Sequence, residues 1–290
     1  MMHYQDQAFR IMQLTDIHIG SFPFVTEDLQ TLAAIKKAVL AVKPDLIMVT
    51  GDLIWSDGVD QPERGYQALV ELFNQLPYPI AVTYGNHDAE DTMTRTHLRQ
   101  LEAGFKYRVP KQNAFVDDRD KESYTLEIND QHGLAHVLYV IDTGNHAPGS
   151  DTAYDYPSTQ QVAWWHQIQA QYQAKKTQST LDLAFIHIPL PEYLQAGEHQ
   201  LAGYFWETNP RVSCGQLNAG LFSEFEHDSQ LKAVFCGHDH DNNFVGTYLG
   251  KQLIYGNVSG YNCYGDLPRG YRLINLRPNH FTTAIIPYED

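Results

Sequence analysis

Along the chain, short apolar runs alternate with segments whose apolar residues recur at helical spacing. RIMQLTD (10–16), DLIMVTGD (45–52) and PIAVTYGNHD (79–88) each read as a buried strand that ends in polar residues. Between them, DLQTLAAIKKAVLAV (28–42) and a segment around 62–76 carry the spacing of amphipathic helices. Thr26 is the expected N-cap of the first, and Pro44 stands just past its end. A further helix is expected over 91–103. ESYTLEI (122–128) and HVLYVIDTG (136–144) follow as strands. Ser158 with Gln161 forms a capping-box pattern that opens a helix through about residue 173. LDLAFIHIP (181–189) and LKAVFCGHDH (231–240) are again buried strands.

Beyond residue 240 the pattern changes. NFVGTYL, KQLIYGNV, YRLINLR and FTTAIIP read as short strands with no helix between them, and LGKQ (249–252) reads as a hairpin turn. Alternating βα units that run into a β-rich C-terminal third predict an α/β fold with two packed sheets and helices outside. No spacer, repeat or low-complexity segment interrupts the chain, so one domain is expected. Residues 190–216 have little periodicity, which predicts a long functional loop or lid carrying Tyr193, Tyr204, Phe205 and Trp206.

Composition narrows the chemistry. Hydrophobic residues make up 43% of the 290 and charged residues 19%, a globular balance. The formal charge of −15, from 20 basic and 35 acidic residues, argues against duplex DNA or an anionic membrane as partner. An acidic protein acting on an anionic substrate needs a local positive charge such as a metal, and the chain has 14 histidines. Cys214, Cys236 and Cys263 are too few for a disulfide framework and read as free thiols. The N-terminal segment lacks signal-peptide character, and no apolar run approaches the ~20 residues that span a bilayer. A cytoplasmic location is the expectation.

Five apolar strands run into TDIH, TGD, YGNHD, IHIP and GHDH. Taken singly, each has an ordinary explanation: Gly-Asp is a common turn, and His187 in an apolar strand is most simply a core histidine. Together they place metal-ligand residue types at the C-terminal ends of successive strands, which converge on one crevice in open α/β sheets. Imidazole with carboxylate suits zinc, iron and manganese rather than calcium or magnesium. Two such ions ~3.5–4 Å apart can clamp the attacking and leaving oxygens of a phosphoryl displacement.

Asp16-Ile-His18, Gly51-Asp52, Gly85-Asn86-His87-Asp88, His187 and Gly237-His238-Asp-His240 resemble, in order, the five motifs of the calcineurin-like metallophosphoesterase superfamily. FIHIPLPEY, with DTG and GHDHDNNF, looks most like the purple-acid-phosphatase-related branch that includes Dcr2-type phosphatases. The resemblance implies a four-layer α-β-β-α sandwich of two mixed β-sheets flanked by helices, in a single domain over residues 1–290. It implies that Asp16, His18 and His240 hold one metal and that Asn86, His187 and His238 hold a second. Asp52 would bridge them beside a bridging water or hydroxide that acts as nucleophile. His87 would face the substrate and protonate the leaving alkoxide, with Asn86 beside it. Asp88 would either orient His87 or cap the turn.

Trp55 stands three residues after Asp52, where the purple acid phosphatases have a metal-ligating tyrosine. It supplies no phenolate, so a divalent pair of manganese, iron or zinc is expected rather than an obligatory ferric ion. GNH recurs at 144–146, where Asn145 and His146 are either an exposed turn or substrate-binding residues. Cys263, in SGYNCYGD, is either a packed thiol or part of a loop near the site.

The implied activity is phosphomonoester hydrolysis of a small-molecule or protein substrate. A phosphodiesterase acting on nucleotides or lipid headgroups shares the same core, and the acidic charge disfavours a nuclease. A non-catalytic metal-binding scaffold is disfavoured because every ligand position and the substrate-facing histidine are filled. Specificity would come from 190–216 and 257–269.

Overall fold

In the strand Phe9–Leu14, Phe9 and Ile11 point to one side while Met12 and Leu14 point to the other, and all four side chains are buried. A strand apolar on both faces must lie between two layers. The same division holds in Leu46–Thr50 and Ile80–Thr83. Leu46, Met48 and Ala81 join one core cluster, and Ile47, Val49, Ile80 and Val82 join another.

The computed structural model describes residues 2–3, 8–150, 152–176 and 180–289. Its strands form two mixed sheets. The first has five strands, in the order His280–Pro287, Gly270–Arg277, Phe9–Leu14, Leu46–Thr50 and Ile80–Thr83; the last three are parallel. In the second sheet, Gly133–Ile141, Asp182–Phe185, Leu231–Cys236 and Lys251–Tyr255 run parallel at the centre. Helices Thr26–Val42, Glu63–Asn74 and Arg95–Glu102 cover the outer face of the first sheet. Helices Thr159–Lys175, Tyr193–Glu198 and Leu221–His227 cover the outer face of the second. A third cluster, including Phe9, Met48, Leu138, Phe185 and Phe235, fills the space between the sheets. This is the expected four-layer α-β-β-α sandwich.

Polar bridges also join the sheets. Gln13 Nε2 donates to Thr50 Oγ1 at 3.0 Å and to the Cys236 carbonyl at 3.1 Å. Buried Arg272 donates to the carbonyls of Tyr255 and Asn243. These bridges fix the strand ends of the two sheets against each other.

Several local expectations shift. Thr26 is the first helical residue rather than the cap, and the Asp28 carboxylate accepts the backbone N–H groups of Gly20 and Val25. The helix expected from residue 91 starts at Arg95, because Thr94 caps it by accepting the His97 N–H. The 190–216 segment is not structureless. It holds the helix Tyr193–Glu198 and the edge strand Gln200–Ala202, and buried Tyr193 donates its hydroxyl to the Val234 carbonyl at 2.7 Å. The Ser158–Gln161 capping box and the hairpin at Leu249–Gly250 form as expected. All three cysteines are free thiols. No helix among the described residues is long and apolar enough to cross a membrane.

Candidate metal centre

The chain leaves five parallel strands through turns that L-residues adopt reluctantly. Asp16, His18, Asp52 and His238 have φ of 54°, 51°, 50° and 83°. Left-handed backbone is uncommon outside glycine, and such strain concentrates at functional sites. Backbone bonds hold it in place: the N–H groups of Ile17 and His18 both donate to the Asp52 carbonyl, at 2.8 and 3.0 Å. Two motif glycines are required by close approach. A Cβ on Gly51 would collide with the His187 ring, and one on Gly85 with the Asp52 carboxylate.

These turns assemble two groups of buried donors. Asp16, His18 and His240 form one; Asp52, His187 and His238 form the other. In the first, Nε2 of His18 lies 3.2 Å from Nε2 of His240, which is 3.6 Å from Asp16 Oδ1. In the second, Nε2 of His187 lies 3.1 Å from Asp52 Oδ2 and 3.1 Å from Asn86 Oδ1. The same Asp52 oxygen is 3.7 Å from His18 Nε2. One carboxylate oxygen therefore faces both groups.

The donors fit cations better than they fit one another. His238 Nε2 is buried without a hydrogen-bond partner. His187 Nδ1 must donate to the Thr50 carbonyl, and His240 Nδ1 to the Tyr264 carbonyl, which points Nε2 of both rings into the site. Burial pushes His18 and His238 down to about 3, so both stay neutral. Burial alone would raise Asp52, but the neighbouring His187 and His87 hold it well below the usual carboxylate range. Four imidazoles, two carboxylates and one amide oxygen make a donor set for zinc, iron or manganese.

His87 stands apart from these donors. Its side chain is 31% exposed, whereas those of His18 and Asp52 are 0% and 1% exposed. Its backbone N–H donates to Asp52 Oδ1 at 2.8 Å, and its Nδ1 lies 3.0 Å from Glu90 Oε2. Burial lowers its pKa, but Asp52 and Glu90 raise it further, to a net position above the ordinary value. Trp55 stacks on His18 with a centroid separation of 4.2 Å and lies 4.4 Å from the His87 ring, walling the site. Asp88 does not reach His87; it accepts the N–H groups of Leu53, Ile54 and Gly85 and so ties two ligand turns together.

The residues between and after the two histidines of GHDHDNN hold the rim. Asp239 accepts the Ser213 N–H and the Tyr255 hydroxyl. Asn242 accepts the Glu207 N–H, Asn243 accepts that of Tyr204, and Asp241 Oδ1 accepts that of Asp266. The segments 204–213 and 263–267 are thereby fastened beside His240. Tyr264 stacks on the His240 ring at 4.1 Å, and the Cys263 thiol lies 3.2 Å from the Gly260 carbonyl.

Asn145 lies behind the His87 turn. Its amide bonds to Arg95 and to the Ala89 carbonyl, while His146 is exposed and pairs with Tyr154. Buried Arg95 in turn clamps Asp142 at 2.6 and 3.0 Å and donates to the Gly85 carbonyl. Sequence reasoning passed over Glu90, Arg95 and Tyr154, and gave Asp142 of the DTG stretch no role of its own. Only Glu90, three residues past His87 in a short turn, carried a local signal.

Residues 9–242 match the calcineurin-like phosphoesterase family. The chain belongs to this family. Among its relatives, a protein named probable inactive purple acid phosphatase 29, from Arabidopsis thaliana, is 30% identical over 291 residues, spanning 89% of this chain and 73% of the relative. Phosphatase DCR2 of Saccharomyces cerevisiae is 28% identical over 271 residues, spanning 81% of this chain and 44% of the yeast protein. Both fall in the branch that the strand-end motifs resemble. A solved dimetal phosphatase from Danio rerio shares the fold, with a TM-score of 0.65 at 12% identity, covering 98% of this phosphoesterase and 100% of the fish chain.

Proposed function

We propose that this phosphoesterase is a binuclear-metal-dependent phosphomonoesterase. The observation that carries the reading is Asp52 Oδ2, which lies 3.7 Å from His18 in one donor group and 3.1 Å from His187 in the other. A carboxylate so placed would serve both cations of a binuclear centre. Asp16, His18 and His240 would hold one, and Asn86, His187 and His238 the other.

Divalent manganese, iron or zinc supplies the Lewis acidity that activates water and neutralises the phosphoryl oxygens. The chain's own residues do the rest. Neutral His18 and His238 keep the site from accumulating negative charge. His87 reaches the solvent side, where it donates a proton to the leaving oxygen. Glu90 accepts a hydrogen bond from His87 Nδ1–H, which fixes the ring and keeps Nε2 toward the substrate. Trp55 offers no phenolate where a ligating tyrosine would stand, which favours a divalent pair. The Arabidopsis relatives are named as probable inactive phosphatases. Here all seven donors are present and buried and His87 has its carboxylate partner, which favours a working enzyme over a scaffold.

The test is reconstitution. Protein stripped with a chelator and reloaded with manganese, iron or zinc should hydrolyse p-nitrophenyl phosphate faster than bis(p-nitrophenyl) phosphate. Faster diester hydrolysis would transfer the assignment to a phosphodiesterase, and inactivity on both would overturn the enzyme.

A further inference from the structure

Tyr154 lies outside the strand-end motifs, yet its ring meets that of His238 edge to face at a centroid distance of 4.4 Å. It sits on a turned-back segment that follows the strand Gly133–Ile141. The segment is closed by its own backbone: Ala147 N–H donates to the Ala153 carbonyl at 2.8 Å and Asp155 N–H to the Asn145 carbonyl at 3.0 Å.

Its base is held by buried charge. The Asp155 carboxylate lies 2.5 Å from Arg119 Nη1 and 3.2 Å from Lys121 Nζ, and Lys121 Nζ also donates to the Tyr156 carbonyl at 2.6 Å. Lys121 is 1% exposed. Burying an ammonium is costly unless it is closely paired. The clamp immobilises residues 155 and 156, immediately beyond Tyr154.

Among the described residues the Tyr154 hydroxyl has no hydrogen-bond partner. Its ring against His238 sets it beside the second donor group, and burial together with the carboxylates of Asp239, Asp52, Glu207 and Glu90 pushes its phenol above the ordinary value. Arg95, which donates to the Gly85 carbonyl, is paired with Asp142. A neutral phenol is a donor that an anionic ligand can use there.

We propose that Tyr154 is a substrate-binding residue whose hydroxyl donates a hydrogen bond to a non-bridging phosphoryl oxygen held over Asp52, His187 and His238. The inference rests on the metal-centre reading above. Tyr154→Phe keeps the ring against His238 and deletes the donor. Metal content would be measured by mass spectrometry, and binding of inorganic phosphate to the metal-loaded protein by calorimetry. The variant should hold as much metal as wild type but bind phosphate about ten- to a hundredfold more weakly, the range for one lost hydrogen bond to a charged group. Its KM for p-nitrophenyl phosphate should rise with it.

Phosphate affinity equal to wild type would overturn the role of Tyr154 and leave the metal centre standing. Loss of metal in Tyr154→Phe would make the residue structural and also overturn it. A wild-type protein that takes up no metal would overturn both readings.

Discussion

The Glu90 carboxylate lies 3.0 Å from Nδ1 of His87, on the one histidine of the site that opens to solvent. The pair is local in sequence and joined to the two donor groups through the backbone, since the His87 N–H donates to Asp52 Oδ1. His87 is thus aimed from one side and anchored from the other.

Glu90→Gln should leave metal content unchanged and lower kcat for alkyl phosphates by about ten- to a hundredfold, within the range of a disturbed general acid. Aryl phosphates with good leaving groups should lose less, because they need less protonation. Steady-state kinetics on a leaving-group series checks this. An equal loss across the series would show that Glu90 supports the turn and not the proton donor.

Asp52 Oδ2 faces histidine side chains of both donor groups. Asp52→Asn should therefore weaken metal binding at both sites together, whereas Asp16→Asn should weaken one. Equilibrium dialysis with zinc separates the two patterns, and a loss confined to one equivalent in Asp52→Asn would remove the bridging role.

Arg95 and Asp142 form a buried pair that also holds the Gly85 carbonyl. Arg95→Met would leave a carboxylate buried without its partner, a change that costs about 3–5 kcal/mol. Urea denaturation should show that loss, and Arg95→Lys should recover part of it. A variant as stable as wild type would mean that Asp142 finds another partner or a proton.

His136 is buried, and its Nδ1 donates to the Leu181 carbonyl at 2.8 Å. Burial lowers its folded-state pKa below the ordinary 6.5. The unfolded chain then binds a proton that the folded chain refuses. The stability it allows is complete above pH 6.5 and falls as pH drops below it, by at most about 1.4 kcal/mol per pH unit. Denaturation of His136→Gln between pH 7.5 and 5, values on the order of the histidine range, should show a shallower acid loss than wild type. Identical slopes would remove the effect.

The layers were legible because burial writes itself into periodicity. Strands such as Leu46–Thr50, apolar on both faces, had to lie between layers, and motifs at their ends had to converge. The convergence of the two donor groups was legible for the same reason: each residue follows a strand closely, so its position in space follows from the strand. Arg95 and Tyr154 were not. Their roles come from contacts to residues about 50 and 84 positions away in chain order, Asn145 and His238, and no local pattern encodes such a pairing. The 190–216 segment reads as aperiodic because Tyr193, in a short helix, and Phe205, at an isolated bridge to Asn242, are core residues whose irregular spacing conceals their burial.

Metal stoichiometry coupled to turnover tests the binuclear centre most directly. Chelator-stripped protein titrated with manganese, iron or zinc should gain p-nitrophenyl phosphate hydrolysis up to a plateau at two equivalents per chain. A plateau at one equivalent, or metal uptake with no hydrolysis, would contradict a binuclear phosphoesterase centre.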